Sequence, residues 1–245
     1  MLLRKGNTKL GSRIWHFSVP NVHTCPGRTE TCESVCYVTR YVKRFSRIEL
    51  MYQDNYRASL RPDFPDRIID EIRERKVRIL RIHVSGDFYS VEYLDKWLKV
   101  VQSCKDTVFV AFTRSWRLPE FLPSLEEFSK SNNTQLWLSF DRDCRQVPRI
   151  EGARLAYLSI SPEDYDDNAD LTFVNWKAKQ KRLGSSLICP YEQGLGLKIK
   201  CDKCMICFSD YRIKKHVQNQ SHCDTAHRSD SSGVDLVELA LPTAS

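Results

Sequence analysis

Seven cysteines carry the chemistry open to this chain, and they fall into two groups. Cys25, Cys32 and Cys36 lie within twelve residues at C-x6-C-x3-C, the first on a Pro26-Gly27 turn. Cys201, Cys204 and Cys207 follow at C-x2-C-x2-C, and Cys189, just before Pro190, stands upstream of them. Thiolates at such intervals can grip one metal centre. The second run matches the first three cysteines of the bacterial ferredoxin pattern, whose remote fourth cysteine precedes a proline. Cys189-Pro190 supplies that element, so four thiolates would close a [4Fe-4S] cluster there. Structural zinc also takes four cysteines and is the competing metal. Zinc ribbons, however, use well separated C-x2-C pairs rather than two consecutive gaps.

Three against four has a consequence. Four thiolates saturate a cluster, which then transfers electrons or braces the fold. Three leave one iron open to a small ligand. The i, i+4 spacing puts Cys32 and Cys36 on one helix face if a helix has begun by Cys32, with Cys25 folding back as third ligand. Ordinary buried thiols are the plain alternative. Cys104 and Cys144 stand alone and read as such thiols. His16 and His83 lie in strand patterns and read as core histidines. His222, Cys223 and His227 sit in a polar tail and read as solvated.

The elements that must position these groups alternate. Residues 1–13 read as a loose basic lead-in, and 14–19 as a buried strand stopped by Pro20. One helix is predicted from about Cys32 to Phe45, and another over 47–60. Pro65 opens a third with Ile68, Ile69 and Ile72 on one face. Strands follow over 78–85, 108–113, 135–140, 154–160 and 185–188. Ser90 caps a helix carrying Val91, Leu94, Leu98 and Val101. A helix with Phe121, Leu125 and Phe128 is expected to be split by Pro123. This alternation predicts an α/β fold of parallel strands with crossover helices, closing as a partial (β/α)6 barrel or opening as a doubly wound sheet. The expected division is a barrel over 1–185, a cysteine-rich module over 186–224 and a flexible tail over 225–245.

Ligands in such folds sit at the C-terminal ends of strands, where the first cysteine loop falls. The same end gathers Ser85, Gly86 and Asp87, then Thr113 and Arg114, then Ser139, Asp141 and Arg142, then Ser159 and Ser161. Asp87 suits an ammonium group; Arg114 and Arg142 suit a carboxylate or phosphate.

Composition bounds the rest. Ten cysteines in 245 residues are too few for a disulfide scaffold. No apolar leader and no bilayer-length apolar run is expected, so the chain reads as a cytoplasmic protein without membrane contact. The formal net charge of +7 and the stripe Arg40, Lys43, Arg44 and Arg47 permit contact with nucleic acid or a host protein. A metal-stabilised binding protein without catalysis is therefore the alternative to a redox enzyme.

Blocks of residues also resemble a known family. Phe17-Ser18-Val19-Pro20, Thr24-Cys25-Pro26-Gly27, Cys32-x3-Cys36-Tyr37, His83-Val84-Ser85-Gly86-Asp87-Phe88 and the terminal cysteines together resemble the phage gene product 88 family, over about residues 5–210. That resemblance implies a phage or mobile-element protein, in the host cytoplasm, and brings no activity with it. More distantly, the layout is similar to radical S-adenosylmethionine enzymes, with a three-cysteine loop between strand one and helix one of a partial barrel. This likeness implies two [4Fe-4S] clusters, S-adenosylmethionine as cofactor and an electron donor as partner. It places cofactor contacts at Tyr37, Ser85, Gly86, Asp87, Thr113 and Ser139, and contacts to an unknown substrate at Arg114, Asp141 and Arg142. The spacing differs from the usual C-x3-C-x2-C of those enzymes, and the aromatic residue, Tyr37, follows the last cysteine rather than preceding it.

Overall fold

The computed structural model describes residues 1–195 and 198–208. The expectations for the tail, including His222, Cys223 and His227, lie outside the described residues. The described chain is an α/β fold on one mostly parallel sheet. Its strands are β1 (Arg4–Asn7), β2 (Gly11–Phe17), β3 (Ile79–Ile82), β4 (Val108–Thr113), β5 (Thr134–Phe140), β6 (Arg154–Ser159), β7 (Leu171–Val174), β8 (Arg182–Leu183) and β9 (Ser186–Ile188). Their order in the sheet is β1-β2-β3-β4-β5-β6-β7-β9-β8. From β2 to β9 every neighbour is parallel; β1 and β8 are antiparallel additions at the two edges. Among the parallel strands order in space follows order in the chain, so the sheet lacks the reversal point of a doubly wound fold.

Strand alternation fills both faces. Phe17, Leu80, Ile82, Phe109, Ala111 and Leu138 face the helices α4 (Phe64–Glu74), α5 (Val91–Ser103) and α6 (Leu122–Lys130). The intervening residues, among them Ile14, Val108, Val110, Trp137 and Ala156, face the other way. That second face is covered by the chain's own cysteine segment: α7 (Cys201–Cys204) and the 3-10 turn Ile206–Phe208 bring Cys201 and Phe208 into the same apolar cluster. A sheet buried on both sides explains why β4 is apolar nearly throughout.

Local signals account for most elements. The Ser90 hydroxyl accepts from Tyr93 N at 3.2 Å and starts α5 as expected. Pro65 sits in the first turn of α4. Pro123 begins α6 rather than splitting it, since its missing N–H is harmless in a first turn. Three further expectations are corrected. Residues 1–13 are no loose lead-in, because β1 and the start of β2 form a hairpin there. The strand at Leu171–Val174 is short, lies between β6 and β9, and was not anticipated. The helix over Cys32 to Phe45 is two helices, α1 (Glu30–Ser34) and α2 (Tyr37–Arg44), followed by α3 (Ser46–Leu60).

Candidate functional site

The first cysteine loop hangs from the C-terminal end of β2. Thr29 begins α1: its hydroxyl accepts from Cys32 N at 3.0 Å and donates to Asp141 Oδ2 at 2.5 Å. Helix α1 stops after Ser34, and Cys36 adopts extended backbone as the residue before α2. Cys32 and Cys36 therefore flank a helix junction and do not share one helix face. Asn21 reaches across, donating to Thr39 Oγ1 at 2.7 Å and to Cys36 Sγ at 3.5 Å. Burial, and after it the charge of Asp87, pushes the Cys25 thiol up to about 12, with Cys32 and Cys36 adding to the rise. Burial also raises Cys32; Arg114 opposes that shift, while Cys36, Asp141 and Asp87 reinforce it. Cys25 and Cys32 thus share a low-dielectric neighbourhood in which like charges disfavour one another. A bound cation would reverse that balance.

Around this loop the predicted strand-end residues meet, largely by binding one another. The Asp87 carboxylate accepts from Phe88 N and Arg114 N, both at 2.7 Å, and from the Thr113 hydroxyl. Burial nevertheless lifts it to about 6. Ser85 is buried and donates to Val19 O at 2.9 Å. Gly86 has φ +79°, and a Cβ there would lie 2.3 Å from Val19 Cγ2 and 2.5 Å from Thr24 Oγ1. Only glycine lets the loop after β3 approach the cysteine loop so closely. Arg114 pairs with Asp141 at 2.8 Å in a buried ion pair. Asp143, a residue the sequence did not single out, accepts from Thr31 N at 2.8 Å and holds the start of α1. Ser139 contributes its carbonyl, which accepts from Trp116 Nε1 at 2.9 Å. Arg142 is partly exposed and faces Asp164 at 3.4 Å. Cys25, Cys32, Cys36, Asp87, Arg114 and Asp141 form the cluster; Ser139 and Arg142 have their partners elsewhere.

Tyr37 connects this loop to the second face of the sheet. The residue is 57 % exposed, and its hydroxyl donates to Val84 O at 2.8 Å. Burial raises that hydroxyl's pKa; the charges it feels are Arg81, Lys9, Cys36 and Glu192.

The second cysteine group is assembled from two segments. Cys189 follows β9, and its N–H donates to Thr172 O at 2.8 Å. Cys201, Cys204 and Cys207 come from the segment on the second face. All four line one small cavity of about 10 Å³, with Pro190 and Met205. The segment is fastened at several points. Cys201 N donates to Lys9 O at 2.9 Å, Asp202 N to Leu10 O at 3.0 Å, and Trp137 Nε1 to Cys207 O at 3.0 Å. Asp202 Oδ2 accepts from Ser12 N at 2.8 Å. Gly11, at φ +83°, makes room for that carboxylate: a Cβ would lie 2.1 Å from Asp202 Cγ.

Two cations, Lys9 and Arg81, and one carboxylate, Glu192, act on these thiols. Burial pushes Cys189 up to about 11, and Lys9 opposes the shift. Burial and then Cys189 raise Cys207, against Arg81 and Lys9. Lys9 pairs with Glu192 at 2.5 Å; burial alone would lower its pKa, but Glu192 and Cys189 hold it above the ordinary lysine value. Lys9, Arg81 and Glu192 escaped the sequence reading. Lys9 and Glu192 are 183 residues apart, and no local pattern links them.

The nine described cysteines are all free thiols. Among the described residues no three cysteine, histidine or carboxylate side chains are drawn up close enough to hold an ion as they stand. The chemistry of the donor set fits a thiolate-bound centre nonetheless, since four thiols face one small cavity beside two cations.

The profile of the family described as Gene product 88 matches residues 1–210. The chain belongs to that family. It is similar to the Gene 88 protein of Mycobacterium phage L5, at 25 % identity over 209 residues, covering 77 % of this chain and 80 % of the relative. It is also similar to the Gene 88 protein of Mycobacterium phage D29, at 26 % identity over 170 residues, covering 64 % of this chain. The match spans 65 % of the D29 protein, just under two thirds of its length. No solved structure matches the chain. No described helix is long and apolar enough to cross a membrane.

Proposed function

We propose that this Gene product 88 protein is an iron–sulfur protein built on a partial (β/α) barrel. Residues 1–185 would form the barrel, and 186–224 a cysteine-rich module. Cys189, Cys201, Cys204 and Cys207 would hold one [4Fe-4S] cluster, fully ligated. Cys25, Cys32 and Cys36 would hold a second, with one iron free for a small ligand such as S-adenosylmethionine. The observation that carries this reading is the convergence of four thiols, from segments the sequence separates, on one cavity flanked by Lys9 and Arg81. Those cations favour the thiolate form that any such centre needs.

When bound, a cluster supplies one-electron transfer, and an electron donor becomes the expected partner. The chain's own residues do the rest. Lys9 and Arg81 offset thiolate charge on the second face. Trp137 and Lys9 fix the backbone of the cysteine segment. Asp87, Arg114 and Asp141 fasten the first cysteine loop to three strand ends, with side chains turned toward each other. Ser85, Asp87 and Thr113 therefore shape the site more than they touch its ligand.

The test is anaerobic purification followed by iron, sulfide and zinc assay, with electron spin resonance of the reduced protein. Two signals are expected, one lost in Cys32→Ser and the other in Cys204→Ser. Added S-adenosylmethionine should alter only the signal that Cys32→Ser removes. Zinc without sulfide would replace the cluster reading by a structural zinc site. Protein free of iron and zinc alike would end both.

A further inference from the structure

A different surface carries an inference that needs no metal. Helix α2 and the residue that ends it present three aromatic rings, Tyr37 and Tyr41 one turn apart and Phe45 just past the last turn. They are 57 %, 45 % and 42 % exposed. Large aromatic side chains are seldom left in water in series, and a contiguous exposed patch marks an interaction site. Tyr41 and Phe45 lie 4.9 Å apart with their planes tilted by 57°, and the Arg44 guanidinium sits 5.6 Å over the Phe45 ring.

Cations surround the rings. Arg40, Lys43, Arg44 and Arg47 are all exposed on α2 and the start of α3. Next to them opens a cleft of about 650 Å³ between the N-terminal strand and helices α3 and α4. Arg4, Arg47, Arg57, Arg61 and Arg67 line it, against one carboxylate, Asp54. Arg57 is paired with Asp54, and Arg61 with Asp63. Among the described residues Arg4, Arg47 and Arg67 have no carboxylate at ion-pair distance. Guanidinium groups without counter-charges around a concavity call for an anion with several charged oxygens.

We propose that α2 and this cleft bind single-stranded nucleic acid, with bases stacking on Tyr41 and Phe45 and phosphates held by Arg44, Arg47 and Arg67. The pattern is that of a stacking platform beside a cationic groove, the arrangement that binds single strands with little regard to sequence. A duplex satisfies the cations but not the rings, since its bases are already stacked on one another. An acidic protein would likewise use the arginines and leave the exposure of the rings unexplained.

Fluorescence anisotropy with a labelled oligodeoxythymidine of about twenty nucleotides tests this, against a duplex of the same length and an acidic polyglutamate peptide. The single strand is expected to bind more tightly than either competitor, with an affinity that falls as salt rises. Tyr41→Ala and Phe45→Ala should each weaken binding about tenfold or more. Arg47→Gln should lower the slope of log affinity against log salt by about 0.7, the value for one lost phosphate contact on a single strand. Lys99→Gln, an exposed change on the far helix α5, should do nothing. Equal affinity for duplex and single strand, or full binding by the Tyr41→Ala/Phe45→Ala protein, would overturn the proposal. So would tighter capture of the polyglutamate, or no binding at low salt. Repeating the titration with chelator-treated protein keeps the two readings apart: binding should survive there, whatever the metal assays return.

Discussion

Replacing Asp141 by Asn probes the network that fastens the first cysteine loop. Asp141 is fully buried, and its two oxygens are all engaged. Oδ2 accepts from Arg114 at 2.8 Å and from Thr29 at 2.5 Å, while Oδ1 accepts from Asp143 N at 3.0 Å. An amide can accept on one side only, and Arg114, just 8 % exposed at its side chain, loses its counter-charge. Removing one partner of a buried ion pair costs about 3–5 kcal/mol. Net stabilities run to only about 5–15 kcal/mol, so the loss is a large share of the whole. With a urea dependence of roughly 3 kcal/mol per molar, the midpoint should fall by about 1–1.7 M. Both proteins should be measured with chelator present, because a ligand bound to the folded state would add its own stability. The double variant Arg114→Met/Asp141→Leu leaves no orphaned charge, and it should be more stable than Asp141→Asn alone. The reasoning fails if Asp141→Asn shifts stability by less than about 1 kcal/mol, or if the double variant loses the sum of its two single changes.

Three more outcomes follow from the same geometry. Gly11→Ala should push Asp202 off Ser12 N and loosen the cysteine segment, so a thiol reagent should reach Cys201, Cys204 and Cys207 faster while Cys104 reacts as before. Trp137→Phe strands the Cys207 carbonyl, should cost about 1–3 kcal/mol, and would speed metal loss from the proposed four-cysteine centre without affecting the proposed three-cysteine one. Acid should destabilise the fold well above ordinary carboxylate titration. Burial, with Arg81 second, holds His16 down to about 4 and His83 to about 3, so both stay neutral in the folded chain while unfolded histidines protonate near 6.5. Between about pH 6.5 and 4 the unfolded chain therefore binds more protons, and each histidine withdraws up to about 3 kcal/mol as pH falls. Asp87, raised by burial to about 6, acts in the opposite sense, one group against two. Thermal melts across that range should show Tm dropping on acidification; a rising Tm would contradict the assignment.

Short-range physics made much of this protein legible in advance. A helix repeat closes within four residues and a strand alternates every two, so β4, β5, α4 and α5 were readable to within a residue or two. Cysteine spacing separated the two thiol groups by the same kind of local rule. Strand polarity then placed the first group at the C-terminal end of β2, because parallel strands put loops of one kind on one side. Helix phase near Cys36 was misread, because a single residue in extended backbone ends one helix and starts another without disturbing the hydrophobic pattern.

Tertiary structure alone decided who meets whom. Arg114 and Asp141 each looked fit to hold a substrate; sheet register set them side by side, and they neutralise one another. Lys9, in an unremarked basic lead-in, became the counter-charge beside Cys189 once β1 and β2 formed a hairpin beneath the cysteine segment. The same segment, readable only as a ligand set, turned out to roof the second face of the sheet. Contacts across more than a hundred residues depend on how strands are ordered and which face each side chain takes, and neither is written in any window short enough to show a period.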